Sequence, residues 1–125
     1  MEENRLTESQ LLGRDGEQIA ADYLVSAGYR IIERNWVCGR YEIDIICANG
    51  DELVFVEVKS HNKNPFFNIA NMVNTEKQRK IIYSANKYIH LHRLDMDARF
   101  DIIEVSFSSD DEFEVNHIPD AFYVN

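Results

Sequence analysis

The sequence predicts an α/β domain with a central mixed β-sheet flanked by helices, in the order α-β-β-β-α-β with one further short strand. Three observations lead there. Tyr41–Lys59 reads as two strongly apolar strands joined by Asn49-Gly50-Asp51, residue types that tolerate the positive φ of short hairpin loops. Amphipathic stripes of helical period lie before and after this pair. A strand-like segment, Arg99–Phe107, then follows the second helical stripe, so it can pair in parallel with an earlier strand through a crossover.

Residues 1–12 read as poorly ordered or loosely helical. A helix is expected from about Arg14 to Ala27, ended by Gly28. Ala20, Leu24 and Ala27 form its apolar stripe, widened by Ile19 and Tyr23. Glu17 falls on that stripe. Such a carboxylate either interacts with the helix N-terminus or reaches toward a site. Tyr29–Trp36 reads as the first strand, and Gly39-Arg40 turns the chain into the second. By alternation Asp44 shares a face with Glu42 and Ile46, and Leu53, Phe55, Glu57 and Lys59 share one face of the next strand. His61–Asn71, with Pro65 and four asparagines, is expected to be irregular. A second helix is expected over Thr75–Leu91, with Thr75 and Gln78 as a capping box and Ile81, Ile82, Ala85, Tyr88 and Ile89 as its stripe. After Arg99–Phe107, a short strand over Phe113–Ile118 leads to a tail that docks through Phe122 and Tyr123.

A chain of 125 residues with 45% hydrophobic and 28% charged side chains fits one soluble domain. No apolar run approaches the roughly 20 residues of a membrane span, and the acidic start MEENRLTESQ is no signal peptide. A cytoplasmic location without membrane contact is therefore expected. Cys38 and Cys47 fall too far apart along paired strands to bridge and read as free thiols. The net charge of −9 argues against nucleic acid until it is mapped. Residues 59–93 hold seven basic side chains and one acidic, against five and 12 before them and one and nine after. Positive charge gathered beside a carboxylate site can hold a polyanion despite the overall sign.

Charge in strands this apolar needs a reason, because burying it unpaired is costly. Asp44 and Glu57 can each offer an oxygen to a hard divalent cation, and the Val58 backbone carbonyl a third. Such a cation polarises a phosphodiester and activates water, with Lys59 placed to orient that water or stabilise phosphoryl charge. An ordinary ion pair between Glu57 and Lys59 is the plainer alternative. Lys77, Gln78, Arg79, Lys80 and His61 are candidate phosphate contacts. His90, His92 and His117 have no metal-ligand spacing.

Gly13-Arg14-x-Gly16-Glu17-x-x-Ala20, Gly28-Tyr29, Arg34-Asn35-Trp36, Glu42-Ile43-Asp44, Phe55-Val56-Glu57-Val58-Lys59, Lys77-Gln78-x-Lys80 and Arg99-Phe100-Asp101 together resemble the YraN-type family of small bacterial proteins. That family is similar to the restriction-endonuclease-like, or PD-(D/E)xK, nuclease superfamily and within it to Holliday junction resolvases. The resemblance implies a restriction-endonuclease-like fold, with residues 13–125 as one nuclease-like domain. It implies metal ligation by Asp44 and Glu57, catalysis by Lys59, and a supporting role for Glu17. Two departures stand out: Tyr41 where the family usually has glycine, and Ser60-His61-Asn62 where arginine often follows the lysine.

The expected function is a Mg²⁺- or Mn²⁺-dependent endonuclease acting on DNA, branched or otherwise structured, in a homodimer. The alternatives are a non-catalytic nucleic-acid-binding module that keeps the fold, and an interaction adaptor whose acidic segment Asp110-Asp111-Glu112-Phe113-Glu114 binds a basic partner.

Overall fold

A computed structural model describes residues 8–64, 66, 73–109 and 111–122, with side chains from residue 15 onward. Its elements are α1 (Glu8–Ser26), β1 (Arg30–Cys38), β2 (Tyr41–Asn49), β3 (Glu52–Asn62), α2 (Thr75–Leu91), β4 (Asp97–Phe107) and β5 (Phe113–Phe122). This is the expected α-β-β-β-α-β order with one further strand. The five strands form one sheet in the order β1-β2-β3-β4-β5. β3 and β4 run parallel and the other neighbours antiparallel, as a crossover through α2 demands.

Each face of the sheet buries one helix. On one, Ala20, Ala21 and Leu24 of α1 pack on Ile45, Cys47, Val54, Val56, Ile103 and Val105. On the other, Ile81, Ala85 and Tyr88 of α2 pack on Ile43, Ile46, Leu53, Phe55, Phe100 and Phe122. The strict alternation expected in β3 holds: Leu53 and Phe55 face α2, Val54, Val56 and Val58 face α1.

Several expectations need correction. The helix starts at Glu8 rather than near Arg14, within the segment read as poorly ordered or loosely helical, while residues 1–7 lie outside the described residues. Ala27 lies past the end of α1 and is exposed rather than buried. The cap of α2 is not Thr75 but Asn74, whose side chain accepts from the Lys77 N–H at 2.9 Å; a capping residue sits outside the helix, and Thr75 already has helical geometry. β3 runs on to Asn62 because β4 pairs with it along its whole length. β5 reaches Phe122, so the expected tail is largely strand, and Phe122 stacks on Phe100 at 5.3 Å. Tyr123 and most of the loop over 65–72 lie outside the described residues. Both cysteines are free. Among the described residues no helix is long and apolar enough to cross a membrane.

Candidate active site

The site forms where β2 and β3 part. Their pairing runs from Asn49↔Glu52 to Ile45↔Val56 and is not continued beyond. There the Val58 N–H donates instead to Asp44 Oδ2 at 2.8 Å. In a strand a residue's N–H and C=O leave from the same edge, so the Val58 carbonyl opens toward Asp44 as well. The alternation of β2 breaks at this point. Ile43 joins the α2-side core while Ile45, two residues on, joins the α1-side core. Asp44 and Ile46 therefore do not share a face as expected: Ile46 packs beneath α2, and Asp44 turns toward α1.

On the α1 side, carboxylate oxygens of Glu17, Glu42 and Asp44 lie within 4.8 Å of one another. Two features bring Glu17 there. Gly16 packs directly on β3, where an added Cβ would stand 1.6 Å from Ser60 Oγ and 2.8 Å from Ser60 Cβ. Glycine thus sets how closely α1 approaches. Asn35, at a positive φ of 52° inside β1, donates from Nδ2 to Glu17 Oε1 at 2.9 Å and to Glu42 Oε1 at 3.5 Å. Asparagine tolerates that backbone region better than most residues. Arg34 stands 3.8 Å from the same Glu17 oxygen.

On the α2 side, Glu57 is buried and held from three directions. Tyr41 Oη donates to Oε1 at 3.0 Å, while Lys77 Nζ stands 2.9 Å and Lys59 Nζ 3.4 Å from Oε2. Lys77, expected as a phosphate contact, thus reaches Glu57. It can do so because it lies in the first turn of α2, whose N-terminus abuts the site.

The electrostatics follow from this crowding. Burial first, then the neighbouring Glu57 and Glu17 carboxylates, push the Asp44 carboxyl up to about 8, against the opposing pull of the Val58 N–H and Lys59. Burial and the neighbouring Lys77 hold Lys59 below the ordinary lysine range. Burial and the Glu57 charge raise the Tyr41 phenol, which stays a donor.

Other expected phosphate contacts are placed differently. His61 Nε2 meets Glu104 Oε2 at 2.7 Å and its Nδ1 meets the Asn62 carbonyl at 2.9 Å. Gln78 Nε2 donates to the Val73 carbonyl at 3.1 Å, the bond that ties its side chain to the loop before α2. Arg79 and Lys80 are exposed along α2. The sequence reading left out Glu42 and Asn35. Glu42 was legible as the residue two before Asp44 on one strand face; Asn35 gave only its residue type.

Residues 16–105 match the model of a family described as Uncharacterised protein family UPF0102. A UPF0102 protein of Parabacteroides distasonis is 38% identical over 90% of this chain and 92% of its own length. One from Chlorobium chlorochromatii is 42% identical over 90% and 92%, and one from Clostridium perfringens 40% over 90% and 94%. Among solved structures, the chain has a loose likeness to Pyrococcus furiosus SfsA in complex with Ca²⁺, 13% identical with a TM-score of 0.39, covering 90% of this chain and 64% of that one.

Proposed function

The chain belongs to the UPF0102 family, and from that premise we propose that it is a divalent-metal-dependent endonuclease hydrolysing DNA phosphodiester bonds in branched or otherwise structured DNA. The observation that carries this reading is the gathering of Asp44 with Glu17 and Glu42 at the point where β2 leaves β3. Three carboxylates this close repel one another unless they take up protons or a cation, and an all-oxygen donor set suits Mg²⁺ or Mn²⁺. Asp44, Glu17 and Glu42 would hold the ion, with the Val58 carbonyl as a further oxygen donor and Glu57 on the α2 side of Asp44. When bound it would polarise the phosphodiester and acidify a bound water. Lys59, held below its ordinary range, can orient that water and exchange a proton nearer neutrality. Glu57 keeps both lysine ammonium groups in place beside the reacting phosphate, and Asn35 keeps Glu17 and Glu42 together.

A nicking assay on plasmid and on a four-way junction with Mn²⁺ tests this. Asp44→Ala and Glu57→Ala should each lower cleavage by about 10- to 100-fold; cleavage unaffected by both removes the site assignment. One observation favours a second reading, a nucleic-acid-binding module without catalysis: Glu57 is already engaged by Tyr41 and Lys77. Binding that falls steeply with salt and is never followed by cleavage would select it. The homodimer that two-strand cleavage calls for is checked by light scattering.

A further inference from the structure

A groove of about 460 Å³ lies between the β1–β2 turn and the outer face of α2. Its volume falls within the roughly 300–1,000 Å³ of small-ligand sites. Arg40 and Tyr41 form one wall, Arg79, Lys80 and Tyr83 the other, and Cys38 lies along it. Glu76 also lines it and pairs with Lys80 at 3.6 Å, so the cations outnumber the acid three to one. Tyr83 is 59% exposed, an unusual position for so large a ring. Lys87 Nζ stands 5.6 Å from its centroid and adds a further positive charge at the rim.

Two aromatic side chains among arginines and a lysine match one chemistry: a flat base with an anionic backbone. A base can lie against an aromatic ring only when it is unstacked and unpaired, whereas a duplex offers a groove like this its phosphates alone. The groove also adjoins the candidate active site through one residue. Tyr41 lines it and, through its hydroxyl, donates to Glu57.

We infer that this groove binds an unpaired nucleotide of single-stranded DNA next to the site, an inference that takes its choice of DNA from the nuclease reading. Structured DNA would then be selected for the unpaired segment it presents, with Tyr83 and Tyr41 supplying the stacking surfaces and Arg40, Arg79 and Lys80 the phosphate contacts.

The test uses the full chain in EDTA, so that no cleavage intervenes, with a fluorescein-labelled oligothymidylate of about 15 nucleotides and a blunt duplex of equal length. The single strand should bind at least about tenfold more tightly than the duplex. Tyr83→Ala should weaken single-strand binding about tenfold and leave duplex binding unchanged, while Tyr83→Phe, which keeps the ring, should retain it. Saturating oligothymidylate should slow alkylation of Cys38 by iodoacetamide; Cys47 is 0% exposed and does not compete. Unfolding midpoints confirm that the variants fold. Equal affinity for duplex and single strand, an unaffected Tyr83→Ala, or unchanged Cys38 alkylation overturns the inference. Single-strand binding with no cleavage in the Mn²⁺ assay counts against the nuclease reading alone, and cleavage without such binding counts against the groove alone.

Discussion

Asp101 in β4 and Asp44 in β2 lie in one sheet, and the chain surrounds the first with donors and the second with carboxylates. Asp101 is 0% exposed. It accepts from Arg99 Nε at 2.9 Å and Nη2 at 2.7 Å, from the Asp120 N–H at 3.0 Å, and meets His117 Nε2 at 2.7 Å. Tyr29 and Tyr23 complete the network by bonding Arg99 and His117. Burial would raise the Asp101 carboxyl, but His117, Arg99 and the Asp120 N–H outweigh it and hold it below the ordinary range. Asp44 receives the Val58 N–H and faces Glu57, Glu17 and Glu42. A carboxylate whose demands are met inside the fold is there to hold the fold together. One left among its own kind is poised for something that arrives from outside, and a cation is the simplest candidate.

Removing each carboxylate should therefore shift stability in opposite directions. The larger effect is expected at Asp101. Asp101→Ala takes the shared acceptor from His117, 10% exposed, and from the Arg99 guanidinium, 13% exposed, which keeps Glu52 at 3.0 Å and Tyr29 as partners. Breaking a buried pair in this way costs roughly 3–5 kcal/mol, to be read from urea unfolding at pH 7. A loss below about 1 kcal/mol would mean that the network contributes little, and the contrast would collapse.

At Asp44 the sign reverses and depends on pH. The folded value near 8 lies above the unfolded value of about 3.9. Between them the folded state holds a proton that the unfolded state has released, so stability of the metal-free protein falls as pH rises from about 4 to about 8. Asp101 has the opposite dependence: its contribution is complete above about pH 4 and is lost as pH drops through its lowered folded value. Asp44→Asn should therefore stabilise the metal-free protein by roughly 3 kcal/mol at pH 9, allowing for partial exposure, and by almost nothing at pH 4. Mg²⁺ or Mn²⁺ should stabilise the wild type and leave this variant nearly unchanged. Equal unfolding midpoints for the two proteins at pH 9 would remove the idea that Asp44 sits under electrostatic stress.

These two aspartates also mark what could be read beforehand. Helix α2 matched its expected bounds because Thr75–Leu91 combines a polar start with a clear apolar stripe, and the faces of β3 followed from strict alternation. Asp44, Glu57 and Lys59 stood out as charges in apolar strands. Asp101 is just such a charge, and the local cue that separates it from Asp44 is Arg99, two residues before it. Its neutralising partners His117 and Asp120 come from another strand, 16 and 19 residues away. Alternation already placed Glu42 on the face of Asp44, but the face change between Ile43 and Ile45, which turns Asp44 away from Ile46 and toward Glu17, is a tertiary matter that alternation does not foresee. The engagement of Glu57 by Tyr41 and Lys77 depends on how α2 docks, again a tertiary matter.

The approach of α1 gives a smaller effect. Gly16→Ala places a Cβ inside contact distance of both Ser60 side-chain atoms, and overpacking of this kind costs about 1–3 kcal/mol. It should also move Glu17 away from Asp44 and weaken divalent-ion binding, measured by calorimetry. Adding Ser60→Gly removes both clashing atoms and should recover most of the loss. A double variant no better than Gly16→Ala would show that the close approach is not what places Glu17.

The smallest expected effect is at Asn35, where backbone and side chain can be separated. Asn35→Gly accepts the positive φ of 52° but loses the amide that joins Glu17 to Glu42. Asn35→Ala loses the amide and also strains the backbone by about 1 kcal/mol. The two variants should therefore differ by about that amount in unfolding free energy while weakening divalent-ion binding equally, because both release the same two carboxylates. If Asn35→Gly binds the ion as well as the wild type, the amide only fills space between Glu17 and Glu42. If the glycine variant is impaired as much as alanine, the acidic cluster depends on a hydrogen bond from β1, and the contrast with Asp101 narrows to a difference in strength: several donors fix one carboxylate, and a single amide tethers the pair beside the other.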